Sequence, residues 1–173
     1  DFIGRIAETG VSTFIIHARK AWLTGLSPKE NRTIPPLDYD RVYRLKTEFS
    51  NLEIIINGGI TSHDEIEAHL ARVDGVMIGR EAYQNPYFLA EIDRRYYDID
   101  NDTPERREIV EQMLPYVTRE MAAGVPLNSI TRHMLGLVQG RPGARAWRRH
   151  LSENAHKKDA EIHILTDAAA RSR

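Results

Sequence analysis

The chain has 173 residues, 41% apolar and 28% charged, with a formal net charge of −1. That is an ordinary globular composition, enough for one domain or a little more, and no apolar run approaches the ~18 residues of a membrane span. The absence of cysteine excludes disulfides, thiolate metal sites and a cysteine nucleophile from this chain; with no signal-peptide pattern at the N-terminus, the cytoplasm is the default location.

Residues 1–10, DFIGRIAETG, predict a helix leading into a strand. Three short apolar runs follow in the first half: Phe14-Ile15-Ile16, Ile54-Ile55-Ile56 and Val76-Met77-Ile78. Each is continuous rather than alternating and rich in β-branched residues, which predicts strands buried on both faces of a parallel sheet. Residues 40–46 read as a helix before the second strand. Residues 62–70 read as another, with Ser62 as N-cap and Glu65 completing a capping box. His63 and His69 fall on this outer helix and are expected to be exposed. The order is a βαβ pattern. Three strands are too few for a sheet covered on both faces, so the pattern predicts the C-terminal part of a longer α/β protein.

After Tyr83-Gln84-Asn85-Pro86 a helix is predicted to about Tyr97, then an acidic linker from Asp98 to Asp102. Thr103 and Pro104 read as the N-cap and first turn of a long helix with Ile109, Met113, Val117 and Met121 on one face. Pro115 is expected to kink or split it, and Gly124 to stop it. Asn128 is expected to cap a second helix carrying Ile130, Met134, Leu135 and Val138. Gly140, Pro142 and Gly143 end that one. A third carries Ala144, Trp147, Leu151 and Ala155, and a last, from Asp159, carries Ile162, Leu165 and Ala169. Four amphipathic helices with short loops predict a small bundle. The expected division is therefore an α/β segment over 1–98, a linker over 99–104 and a helical domain over 105–173.

Charge follows the same division. Residues 1–104 carry a net −5 and residues 105–173 a net +4. Between Arg132 and Lys158 there are seven cations and one acid, Glu153. The excess reads either as a solvated basic helix face or as a surface for an anionic partner.

Chemistry-bearing residues cluster at the ends of the predicted strands. The second strand ends in Asn57-Gly58-Gly59, where bare backbone can approach a ligand and offer N–H groups to an anion. The third ends in Gly79 followed by Arg80. In a TIM barrel, the loops after the last two strands often form a phosphate site. The alternative is a tight turn at the two glycines, with Arg80 paired to Glu81 or Asp74. His17 ends the first strand and is either structural or turned to the same mouth. No His, Asp or Glu cluster has metal-binding spacing.

The strings HARKAWLTGLSPKENR (17–32), NGGI (57–60), DGVMIGREAYQNP (74–86) and RHMLGLVQGRPGARAWRRHLSENAH (132–156) resemble the C-terminal half of the A subfamily of bacterial tRNA-dihydrouridine synthases. The resemblance covers nearly the whole chain. It implies the C-terminal part of a flavin-binding TIM (β/α)8 barrel followed by a small all-α four-helix domain that grips tRNA. It implies an oxidoreductase that uses FMN and NADPH to reduce D-loop uridines 20 and 20a to 5,6-dihydrouridine. The residues matching the family's flavin ligands are His17, Asn57, Gly58, Gly59, Gly79 and Arg80. His17 would meet the isoalloxazine edge, and the glycine loops with Arg80 would hold the phosphate. Lys29 and Arg32 match the RNA-contacting loop; Arg132, Arg145 and Arg148 match the cations of the helical domain, with Arg149 beside them. The family's catalytic cysteine has no counterpart here, so this chain is expected to be inactive alone. No membrane and no obligate protein partner is implied. Two rival readings are a flavin-dependent barrel reductase of a small molecule and a non-catalytic tRNA-binding fragment; a generic four-helix interaction domain is a third.

Overall fold

The computed structural model describes residues 2–100 and 102–171. Asp1 of the predicted first helix, Asn101 of the predicted linker, and Ser172 and Arg173 lie outside the described residues. The chain divides into two compact units, one ending at Gly79 and the other starting at Arg80.

The first unit is α/β. It runs α1 (Phe2–Ala7), β1 (Thr13–His17), a 3-10 turn (Glu30–Arg32), α2 (Tyr39–Glu48), β2 (Glu53–Asn57), α3 (His63–Leu70) and β3 (Gly75–Met77). The strands form one parallel sheet in the order β1-β2-β3. The register pairs Phe14 with Ile54, Ile16 with Ile56 and His17 with Asn57, and sets Met77 beside Asn57. Each crossover helix starts on a side-chain cap. Asp38 accepts from the Arg41 amide at 3.1 Å. Ser62 and Glu65 form the predicted capping box at α3; such caps contribute about 1 kcal/mol each.

Helix α2 packs on β2 and α3 on β3. Phe14, Ile54 and Ile56 on one face of the sheet are buried, as are Val42 of α2 and Ile66 of α3. Each such side chain contributes about 1.5–3 kcal/mol by leaving water. The opposite face corrects the expectation of two-sided burial: Ile15 is 58% exposed and Met77 39%. A continuous apolar run marks what a strand can bury, and here the helices cover one face alone. His69 is also corrected. It is buried, edge-on to the Tyr39 ring at 4.5 Å and hydrogen-bonded through Nδ1 to the Tyr43 hydroxyl at 2.7 Å. Burial lowers its pKa below the ordinary histidine value. Asp74 ties the amino-terminal end of the sheet together: its carboxylate accepts from the Ile54 amide at 2.8 Å and pairs with Lys46 at 2.9 Å.

The second unit is helical: α4 (Arg80–Gln84), a 3-10 segment (Pro86–Glu91), α5 (Ile92–Tyr96), α6 (Arg106–Ala122), α7 (Leu127–Thr131), α8 (Ala144–Asn154) and α9 (His163–Ala170). Several predicted details shift. The helix expected after Pro86 forms in its second half, as α5 ending at Tyr96, and Pro86 itself opens a 3-10 segment. The N-cap of α6 is Glu105 in a capping box with Glu108, not Thr103. Helix α6 runs unbroken through Pro115, because Val110 and Val117 are held in a common core and a proline removes only one helical hydrogen bond. Pro126, not Asn128, precedes α7. From Arg132 to Gly140 the chain makes successive turns rather than helix. Helix α9 starts at His163, later than Asp159.

Helices α6 to α9 share one apolar core centred on Trp147, which is fully buried and donates its indole N–H to the Met134 carbonyl at 3.3 Å. No helix among the described residues is long and apolar enough to cross a membrane.

Gly136 lets the 132–140 segment close on α4. A Cβ there would lie 1.9 Å from the Gln84 carbonyl oxygen and 2.7 Å from its carbon. The backbone of α4 occupies the space a side chain would need. Gly136→Ala therefore destabilises this unit by about 3 kcal/mol or more, the range of an overpacked core site. Urea denaturation checks it: an unchanged midpoint would show that the two backbones separate at no cost.

Candidate functional site

Because the strands are parallel, His17, Asn57 and Gly79 all come at the carboxyl end of the sheet or just beyond it. His17 and Asn57 are register partners. The Ala18 amide donates to the Asn57 carbonyl at 2.7 Å, extending the ladder by one bond. Gly58 and Gly59 then take φ of 121° and 75°, a region that strongly favours glycine. A methyl on Gly58 would stand 3.1 Å from His17 Cε1 and from Leu37 Cδ2. One on Gly59 would meet Leu37 Cδ1 at 2.6 Å. The loop backbone thus lies directly against the imidazole ring and the Leu37 side chain. Tyr39 locks it by donating its hydroxyl to the Gly58 carbonyl at 2.7 Å.

The Arg19 amide donates to His17 Nδ1 at 3.1 Å. Nδ1 is therefore the acceptor, and the neutral ring carries its proton on Nε2. His17, Asn57, Gly58 and Gly59 are brought together as expected. Gly79 ends the first unit, and Arg80 opens α4 in the second. In the first unit Asp74 is engaged by Lys46 and the Ile54 amide, and in the second Glu81 accepts from Asn85 at 2.9 Å. Arg80 is exposed, with no carboxylate partner among the described residues.

The segment from Ala18 to Asp38 is ordered by its own polar groups. The Arg19 guanidinium donates to the carbonyls of Thr33, at 3.1 Å, and Pro35. Asn31 accepts from the Trp22 amide and donates to the Trp22 carbonyl, both at 2.9 Å. Glu30 accepts from the Ser27 amide at 2.8 Å and hydroxyl at 2.6 Å. Lys29 and Arg32 sit on this frame with exposed side chains and no partner among the described residues. The roles of Arg19, Asn31, Glu30 and Tyr39 were missed from sequence. An Asx-type residue between prolines was the available signal for Asn31, and Ser27, three residues before Glu30, was the signal for Glu30; Arg19 and Tyr39 bond to groups far along the chain.

In the helical unit, Arg145 and Arg148 lie three residues apart on the exposed side of α8, opposite Trp147 and Leu151. Arg149 is taken by Glu153 at 2.8 Å. Arg145 borders a cleft of about 540 Å³ with His150 and Arg171. Arg132 lines a separate cleft of about 300 Å³ with Ser152 and His156. Its Nε donates to His133 Nε2 at 3.0 Å, and His133 Nδ1 meets the Tyr83 hydroxyl at 2.9 Å.

Parallel strands joined by helices, with a glycine loop and a histidine at their carboxyl ends, place this unit among the α/β proteins, a class whose ligands generally bind at that end. The family model described as dihydrouridine synthase (Dus) matches residues 1–172, and the chain belongs to that family. It is 56% identical over 172 residues, 99% of this chain, to the tRNA-dihydrouridine(20/20a) synthase of Vibrio parahaemolyticus, and covers 53% of that protein. It is 58% identical over 164 residues, 95% of this chain, to the enzyme of the same name from Shewanella oneidensis, covering 49% of it. The corresponding Escherichia coli K12 protein is 57% identical over 169 residues, 97% of this chain and 49% of that protein. The chain spans about half the length of these relatives.

Hydrogen bonds from Ser27 hold Glu30 below the ordinary carboxylate pKa. A depressed folded-state pKa means that the order Glu30 gives the loop is complete above the unfolded glutamate value and is lost as pH falls through the lowered one. An NMR titration should show the Ser27 amide resonance shifting with that lowered midpoint. In Glu30→Gln the shift should vanish; its persistence would assign the transition to another group.

Proposed function

We propose that this chain supplies part of the flavin site and of the tRNA-binding surface of an enzyme that reduces uridines 20 and 20a of the tRNA D-loop to 5,6-dihydrouridine with NADPH. Family membership and the names of the relatives support this reading, and the observation that carries it is the packing of Gly58 against His17. The first unit is read as the last three strands of a TIM barrel and the helices α6 to α9 as a four-helix tRNA-binding domain, with residues 99–104 between them. The protein would act in the cytoplasm.

The residues fit FMN. Glycine at 58 and 59 lets the loop backbone close on His17 and Leu37 while adding no side chain of its own at the carboxyl end of β2, where a flat ring or a phosphate would approach. Bound FMN supplies the hydride chemistry that no side chain in this set can perform. His17 would meet the isoalloxazine edge. The Gly59 and Gly79 loops offer backbone N–H groups to the phosphate, and Arg80 a guanidinium to offset its charge. Asn57 holds the end of β2 through its carbonyl and presents a side-chain amide at the mouth.

Lys29, Arg32, Arg132, Arg145 and Arg148 are read as contacts to tRNA phosphates, which position without reading sequence. They would offset the cost of unstacking the target base, which a base buried in a folded tRNA requires before it can enter a barrel mouth. None of them is catalytic. The proton for the reduced base has no cysteine source here, since the chain has none.

Two variants of the full-length protein test the assignment. Arg80→Ala should leave FMN about tenfold more weakly held, read by fluorescence on dilution of the purified protein; unchanged retention removes the phosphate role. Replacing both Arg145 and Arg148 by Ala should lower tRNA affinity and reduce the slope of log K against log salt by about 2, with flavin content intact. An unaltered slope would take the α8 face out of the interface.

A further inference from the structure

A second cationic site lies away from the α8 face, at the start of α6. A cleft of about 440 Å³ is lined there by Tyr87, Glu105, Arg106, Arg107 and Arg141, with the small Ala169 and Ala170 of α9 on its other side. Arg106 is held in place. Its guanidinium stacks 3.5 Å from the Tyr87 ring centroid, and its Nε donates to the Leu137 carbonyl at 2.9 Å. Tyr87 is itself fixed by donating its hydroxyl to the Pro104 carbonyl at 3.0 Å. The terminal nitrogens of Arg106 have no hydrogen-bond partner among the described residues.

Arg141 approaches from the turn after Val138. Its side chain is exposed and, among the described residues, pairs with no carboxylate. The two cations act on one another: burial lowers the pKa of Arg106, and the Arg141 charge adds to that effect. The nearby carboxylates do not relieve this. Glu105 and Glu108 are turned to the backbone amides of α6 in their capping box. Glu111 is paired to Arg107 at 2.9 Å. Arg106 and Arg107 moreover occupy the first two positions of α6, the positive end of the helix, where acids are the stabilising choice. The lining therefore sets Arg106, Arg107 and Arg141 against one acid, Glu105, whose carboxylate is engaged in the capping box, and the cleft keeps a net positive charge around a guanidinium that is held rigid.

We infer that this cleft binds a phosphate-sized oxyanion between the guanidiniums of Arg106 and Arg141. The planar fork of arginine matches phosphate oxygens two at a time. The occupant is either free phosphate or a phosphate of an RNA backbone. The site follows from charge and packing and does not require the flavin or the α8 assignments.

The test uses the full-length protein with its flavin site saturated. Inorganic phosphate is titrated by 31P NMR into the parent and into Arg141→Gln, whose side chain has no structural partner. The expected result is about tenfold weaker phosphate binding in the variant. Equal affinity in the two proteins overturns the inference. If Arg141→Gln melts below the parent, Arg106→Lys, which keeps the charge and loses the fork, is compared instead on the same criterion. The salt dependence of tRNA binding then separates the sources. A slope reduced by about 1 in the variant assigns the occupant to the RNA backbone. An unchanged slope with phosphate binding lost assigns it to free phosphate. Loss of tRNA binding in the α8 double variant, with phosphate binding intact, would bear on the α8 face alone.

Discussion

Parallel pairing of β1 with β2, in the register that sets His17 beside Asn57, decides where chemistry can occur in the first unit. Parallel strands must be joined by crossovers, so every loop that leaves a strand leaves from the same end. The segment after His17, the glycines after Asn57 and Gly79 after β3 therefore converge without any of them having to reach. The other end is spent on structure: Asp74 and Lys46 bind the strand starts and the loop before β2 with charge-assisted hydrogen bonds. One end of the sheet is anchored, and the other carries bare backbone, an imidazole and a polar loop.

The helical unit divides its work by helix face rather than by end. Trp147 fills the core from α8, while Arg145 and Arg148 point the other way. Burial of one large aromatic side chain is what orients both arginines, since a helix that commits one stripe to the core leaves the opposite stripe to solvent. Gly136 serves the same unit differently. It allows two backbones to meet where any side chain would separate them.

The strands, the α3 capping box and the glycine loops were legible in the sequence because each depends on neighbours a few residues away. Ser62 and Glu65 read as a cap and are one; Asn57-Gly58-Gly59 reads as a strand end and is one. Most of what was illegible depends on distant partners. His69 looked exposed because its ring contacts, Tyr39 and Tyr43, come from another helix. Residues 132–140 keep an apolar period but make successive turns, and the backbone that Gly136 closes on is that of Gln84, about fifty residues earlier. Thr103-Pro104 matches the usual helix-start signal, yet Glu105 with Glu108 offers a reciprocal pair of bonds and takes the cap. Of the site, the ring-facing glycines were readable; the Tyr39 hydroxyl that fixes them was not.

The two-way bond between Asn31 and the Trp22 backbone has a thermodynamic consequence. A long loop bearing Lys29 and Arg32 would ordinarily surrender its conformational freedom when it met a ligand, and that entropy would be subtracted from affinity. Here the freedom is given up at folding, through Asn31, Glu30 and Arg19. Only the two cationic side chains remain to be ordered by whatever they touch, so their contacts translate into affinity with little discount for the backbone beneath them.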